Sequence, residues 1–390
     1  QGVAWQQKKD PEKAREKWTP LVDGKDGFYR TRAGLALTML EQQEKKESLE
    51  KAIDRLEGLR YMWRGDELES QVNFMLGKLY IDRKQYIKGF GILRDAESMS
   101  PESDIGEDID AFMHDKFKSL LMDDKTVEPL DAISIFEEFK DLTPSGADGN
   151  KLVQSLAERL VETDLLPRAA ALLQHQVDYQ LSGEEKATVA MRTAAINLLD
   201  NEPDAAIKAL NSAREIYAAL ATDEAKKKLR ESDMMRAKAL SQMNRTEEAI
   251  ALLTSFEPSP DVNTLRADIA WQAGMWEEAA EALNDRIVDE SLDLARPLTP
   301  NQADLIMQRS VALNLSGNRV ALTNMAKRYG DAMKKTPRAQ LFEVVTRPRE
   351  TMLSADKDTI SALVSEVDLF KGFLESYRKS EATAAQPASQ

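Results

Sequence analysis

The chain has 390 residues and a formal net charge of −14, enough length for a large buried core and the wrong sign for gripping a phosphate backbone or an anionic membrane surface. It contains no cysteine, which removes disulfides, thiolate nucleophiles and cysteine zinc sites and leaves the compartment open between periplasm and cytoplasm. Its apolar runs are too short to span a bilayer, so no direct membrane insertion is expected.

Taken from the start, the chain reads as helix after helix, with strong helix formers throughout and no sustained alternation of β-branched residues. Gly2, Trp5, Lys9, Ala14 and Trp18 give the first instance of a recurring pattern. A helical hairpin is expected over 31–46 and 47–61. Gly77, Tyr80, Lys84, Gly89 and Leu93 follow, closed by Ala96 and Pro101. An irregular first helix is expected over 108–122, then a partial copy in Ala132, Phe136 and Pro144, where Ile133, Phe136 and Phe139 fall at helical spacing. Pro144 to Asn150 reads as the strongest interior loop and a subdomain boundary. Leu152, Leu156 and Leu160 mark the next stripe, with Ala157, Asp164, Ala169 and Leu173 on the recurring pattern. Ala194, Asn201, Ala206 and Leu210 repeat it, and long helices are expected over 205–220 and 223–243. Ala237, Asn244, Ala249 and Leu253 come next, then Ala267, Gly274, Ala279 and Leu283. A late pair is expected over 302–315 and 319–335, a capping helix over 358–378 and a disordered tail over 380–390.

Six times a small residue is followed twelve positions later by another, and four after that by a bulky apolar one. Two antiparallel helices joined by a short turn must approach closely at one point, and a Gly or Ala on each permits it. Asp164, Asn201, Asn244 and Gly274 fall where the turn belongs. The copy from Gly77 to Pro101 resembles the tetratricopeptide repeat, divergently, because Asn197 and Ala270 replace bulky residues and the spacing wanders through 37, 43 and 30 residues. The resemblance implies an all-α fold, a right-handed superhelical solenoid of about nine hairpins. Its expected divisions are N-terminal repeats over 1–144, further repeats over 145–335, capping helices over 336–379 and the tail. The pattern opens midway through a first helix at Gly2, so further repeats upstream in a longer protein are expected, with Trp5 and Trp18 left short of neighbours.

A catalytic constellation is not legible. His114 and His175 stand in different repeats, and no phosphate loop, dinucleotide fingerprint, nucleophile elbow or zinc-protease motif occurs. The Gly-Phe-Gly at 89–91 reads as helix packing, and Glu102, Asp104, Glu107, Asp108 and Asp110 as acids at a helix N-terminus. No enzyme, cofactor or metal is expected. What the resemblance implies instead is a scaffold that holds a protein or peptide in a concave groove lined by first helices. The alternatives are a structural subunit of an envelope-associated bacterial assembly and, last, an accessory segment of an enzyme. Counting six and three residues before the first small residue, and one and four after it, places Phe74, Lys78 and Ile81 in the groove. The same count gives Gln154 and Glu158, then Met191, then Met234 and Lys238, then Asp268 and Trp271.

Overall fold

A computed structural model describes residues 2–347 apart from positions 9, 100, 123–125 and 221. The expected capping helix over 358–378 and the tail lie outside the described residues. Among the described residues every regular element is helical, without a strand. The chain divides into two compact units between Ser182 and Gly183, not at the expected boundary after residue 144.

The first unit, Gln1–Ser182, carries α1 (Gly2–Gln7), α2 (Pro11–Val22), α3 (Gly27–Gln43), α4 (Leu49–Leu59), α5 (Glu67–Asp82), α6 (Tyr86–Met99), α7 (Asp104–Met122), α8 (Pro129–Glu138), α9 (Ala147–Glu162) and α10 (Leu166–Tyr179). A 3-10 turn at Lys140–Leu142 follows α8. The interior loop is shorter than expected, because α9 already starts at Ala147; Gly149 sits so close to the Pro144 carbonyl that a Cβ there would lie 1.9 Å from it. The acids from Asp104 to Asp110 stand within α7 rather than ahead of it, with Asp104 and Glu107 in its first turn. The second unit carries α11 (Gly183–Leu199), α12 (Pro203–Leu220), α13 (Asp223–Gln242), α14 (Thr246–Thr254), α15 (Pro260–Gln272), α16 (Trp276–Asp289), α17 (Pro300–Leu315), α18 (Arg319–Met333) and α19 (Ala339–Thr346).

One turn chemistry joins the helices of a pair. Lys84, Asp164, Asn201, Asn244 and Gly274 all adopt left-handed backbone, with φ between 58° and 71°. At each, the next residue's N–H reaches the carbonyl five positions back, as Gln85 to Tyr80 at 2.8 Å and Arg245 to Leu240 at 2.9 Å. This is the Schellman closure, which satisfies a helix-end carbonyl and turns the chain back at once. Only Gly274 takes that conformation without a Cβ penalty; the others rely on the surrounding packing to hold it.

The small residues meet as the spacing requires. Gly2, Ala14, Gly77, Gly89, Ala157, Ala169, Ala194, Ala206, Ala237, Ala249, Ala267 and Ala279 are all buried, as are Trp18, Leu93, Leu173, Leu210, Leu253 and Leu283 four positions on. At the α5–α6 crossing a Cβ on Gly77 would stand 2.6 Å from Leu93, and one on Gly89 would stand 2.8 Å from the Gly77 carbonyl oxygen. Backbone touches backbone there. Each buried leucine of this set contributes about 1.5–3 kcal/mol of transfer free energy. Trp18, expected to lack a neighbour, is covered: a Cβ on Gly2 would lie 2.1 Å from its Nε1.

Two further pairs share the turn with a hydroxyl seven residues ahead of it, but not the spacing beyond, since twelve residues on stand Glu50, which is exposed, and Leu322. Ser310 stands seven residues before the left-handed Gly317 and twelve before buried Leu322, and Thr38 stands seven before the left-handed Lys45. Both hydroxyls donate to the carbonyl four residues back, Ser310 to Ile306 at 2.8 Å and Thr38 to Gly34 at 2.9 Å. Hydroxyls so bonded are tolerated when buried within a helix, and the Thr38 hydroxyl also accepts from Arg55 at 3.2 Å. Helix length accounts for the wandering repeat spacing, since α12 and α13 have 18 and 20 residues while α14 has 9.

Within the first unit the odd-numbered helices also pack on one another, α3 on α5, α5 on α7 and α7 on α9; in the second, α11 packs on α13 and α13 on α15. Several odd-numbered helices of each unit thus lie side by side, α3, α5, α7 and α9 in the first and α11, α13 and α15 in the second.

Candidate functional site

In the first unit, α5 and α7 bring Phe74, Lys78 and Phe112 together on the odd-helix layer. The rings of Phe74 and Phe112 meet edge-to-face, 5.5 Å between centroids at 74°. The Lys78 Nζ hangs over both, 4.8 Å from Phe74 and 5.0 Å from Phe112. All three side chains are half-buried, and among the described residues no carboxylate pairs with Lys78. The pattern of α5 explains this arrangement. Val72, Leu76, Leu79 and Tyr80 form the buried stripe, so Phe74 and Lys78, four residues apart, share a neighbouring face one turn above each other. An ammonium beside two rings gains roughly 0.5–2 kcal/mol.

The other expected groove residues divide by position. Gln154 is half-buried and Glu158 exposed on α9; on the second unit Met234 and Asp268 are half-buried and Lys238 is exposed. Met234 packs against the cluster of Ala237, Leu240 and Leu253. Ile81, Met191 and Trp271 are corrections: they are 2%, 7% and 7% exposed and belong to the core. Ile81 and Trp271 lie four residues after the small residue, about 40° from it around the helix and hence on the same packed stripe. Ile81 accordingly abuts Gly89, and Trp271 packs edge-to-face on Trp276 at 5.4 Å, sealing the α15–α16 turn. Met191, three before Ala194 on α11, is buried although Phe74 at the same count on α5 is half-buried. The residues one after and six before the small one lie about 100° and 120° from it, at half-buried Lys78 and Gln71; the one three before lies at about 60°, close to the direction of Ile81 but nearly two turns earlier on the helix, and stays half-buried at Phe74.

Phe112 was not in the expected set, because α7 has no small residue from which to count. A signal for it does exist: Ile109, Met113, Phe117 and Leu120 are the core stripe of α7, which leaves Phe112 beside that stripe.

The unit is otherwise stitched by polar groups. Tyr80 donates to Glu57 at 2.6 Å, Lys88 donates to the Tyr80 hydroxyl at 2.6 Å and its Nζ lies 3.2 Å from Glu57, tying α4, α5 and α6. Burial pushes the Glu57 carboxyl up, but the hydrogen bonds from Tyr80 and Lys88 together outweigh it and hold the group below its usual range. Arg55 links Glu47, at 2.6 Å, to Glu41, at 3.1 Å, across α3 and α4. His114 is half-buried, with Nδ1 3.1 Å from the Leu142 carbonyl oxygen and Nε2 3.5 Å from Asp110. Among the described residues no three His, Asp or Glu side chains gather as a metal-binding group, and no helix is long and apolar enough to cross a membrane. Compared with known proteins, the chain matches no protein-family model and no curated protein.

Proposed function

We propose that this chain is a divergent tetratricopeptide-like solenoid that holds a protein or peptide partner on its layer of first helices, without catalysis. The observation that carries the reading is the Phe74–Lys78–Phe112 cluster, two half-exposed rings and a cation unpaired with any described carboxylate, on adjacent helices of that layer. Aromatic side chains are what protein interfaces concentrate at their centres, and a lysine beside them belongs to the polar rim. The layer of odd helices also supports it, since stacked hairpins with left-handed closures are the structural basis of a groove in repeat proteins. The apolar part of a partner would rest on the rings, with its polar rim met by Gln71, Gln154 and Glu158. A structural subunit of a larger assembly is the second reading. It draws on large apolar side chains exposed on the even-numbered helices, among them Leu130 at 57%, Tyr179 at 79% and Val320 at 76%. Paired capture from source cells separates the two. Phe74→Ala with Phe112→Ala should empty the bait of its partner if the first reading holds, and Tyr179→Ser with Leu130→Ser should do so if the second holds.

A further inference from the structure

At the α3–α4 turn of the first unit, one guanidinium serves two carboxylates. Arg55 Nη1 donates to Glu41 Oε2 at 3.1 Å, to Glu47 Oε2 at 3.0 Å and to the Thr38 hydroxyl at 3.2 Å. Its Nη2 donates to the same Glu41 oxygen at 3.1 Å and to Glu47 Oε1 at 2.6 Å. Those two nitrogens carry four hydrogens for five contacts, so oxygens of both carboxylates crowd against them. The group is also withdrawn from water, the side chains of Glu47, Glu41 and Arg55 being 8%, 17% and 21% exposed.

The ion pairs running from this point join α2, α3, α4 and the turn. Arg15 lies 3.7 Å from Glu41 and also pairs with Glu12 and Glu44, and Lys46 pairs with Glu12 and Glu44. Four glutamates therefore share three cations, leaving one negative charge in excess. The other charges of this corner lie outside the set: Lys45, Lys51 and Asp54 are exposed without an ion pair among the described residues, and Glu50 pairs with Arg83 beyond α5. Among the described residues no charged group of α5 bonds to the set. The excess falls on Glu47, the least exposed of the four, whose one cation is the Arg55 it shares with Glu41. Out of water, a carboxylate so partly compensated favours its neutral form.

We propose that Glu41 and Glu47 form a proton-binding site, so that the α3–α4 pair takes up a proton as the medium turns mildly acid and holds together more tightly there than at neutral pH. The proton comes from water and lies between one oxygen of each carboxylate, an O–H donating to an O−. It cancels the excess charge and leaves Arg55 facing a single carboxylate charge. Burial pushes the Glu47 carboxyl up and, with the Glu41 charge beside it, outweighs the opposing pull of Arg55. A carboxyl raised on folding contributes stability in full below its unfolded value near 4.5, and that contribution is lost as pH rises through the folded value. The sign is the reverse of that at Glu57, whose contribution is lost as pH falls. No residue of the aromatic cluster on α5 and α7 takes part, so the partner-binding reading and this one can fail separately.

Amide exchange of the full chain at about pH 7 and about pH 5 tests it, with the intrinsic pH dependence of exchange divided out. At the lower pH the contribution of Glu57 is still present in full, and the two histidines stand away on α7 and α10. The expected result is that protection of α3 and α4 rises roughly threefold or more between the two, while that of α15 and α16 stays level. Glu47→Gln, whose amide donates to Glu41 as the shared proton would, should raise protection of α3 and α4 at neutral pH and remove the response. Carboxyl NMR of the wild type needs no variant and should show Glu47 titrating above the usual glutamate value. Level or falling protection of α3 and α4 on acidification would overturn the proposal, as would a Glu47 resonance titrating at or below that value. So would a response that persists in folded Glu47→Gln, or an equal rise in α15 and α16, which would assign the effect to the charge of the whole chain.

Discussion

The α5–α6 pair of the first unit and the α15–α16 pair of the second share one plan and fill it differently. In the first the crossing is Gly77 on Gly89, backbone against backbone; in the second it is Ala267 and Ala279, 2% and 0% exposed. The first places its aromatic, Phe74, three residues before the small residue, where it stays half-buried beside Lys78. The second places Trp271 four residues after, where it closes onto Trp276. Seven positions are almost two full turns, so the two rings lie within about 20° of each other around their helices; what differs is height along the helix, Trp271 standing beside the turn where Trp276 covers it and Phe74 two turns earlier in its own helix. The lesson is that in such a pair the small residue sets a register, and whether a ring is covered depends on its height along the helix and on the neighbour at that height, not on angle alone.

Substitutions sharpen this contrast. Because repeat arrays unfold in parts, amide exchange of the named helices is the proper readout. Trp271→Ala is expected to be the most damaging, at about 3–5 kcal/mol, exposing amides of α15 and α16. Equal protection in the variant would show that the tryptophan is not core. Gly89→Ala should cost about 1–3 kcal/mol despite the better helix propensity of alanine, since the new methyl meets the Gly77 carbonyl and Ile81. The reverse exchange, Ala279→Gly, should cost only about 0.5–1 kcal/mol. If Gly89→Ala instead raised protection of α5 and α6, the two crossings would be equally roomy. At the turns, Asn244→Ala should lose about 1 kcal/mol while Asn244→Gly loses little or gains, because only the first strains the left-handed backbone.

The smallest effect is electrostatic. Glu57 has its folded carboxyl held below the unfolded range, so its contribution is present in full above the unfolded value near 4.5 and is lost as pH falls through the folded one. Lys88→Met should flatten that acid-side loss in α4–α6 and leave the neutral-pH stability of α15–α16 untouched. An unchanged acid limb would mean that the Tyr80–Glu57–Lys88 contacts carry no net energy.

The hairpin plan was legible because it rests on local constraints, small residues twelve apart and a turn residue seven after the first. What stayed hidden rests on context. Thr38 and Ser310 read as polar until their hydroxyls are seen bonded to the carbonyl four residues back. Ile81 and Trp271 were placed in the groove by counting positions, without the neighbours beside the turn that cover a residue four along, Gly89 for Ile81 and Trp276 for Trp271. Phe112 gained meaning only when α5 packed on α7 and set it against Phe74.

The central claim is that the odd-helix layer around Phe74 and Phe112 holds a partner. Quantitative affinity capture from source cells, wild type against Phe74→Ala with Phe112→Ala, tests it most directly, provided exchange shows α5 and α7 intact in the variant. The account predicts that the partner recovered by the wild type falls by tenfold or more on the doubly substituted bait, a loss of about 1.4 kcal/mol or greater. Recovery of the same partners in the same yield from a folded variant would contradict it.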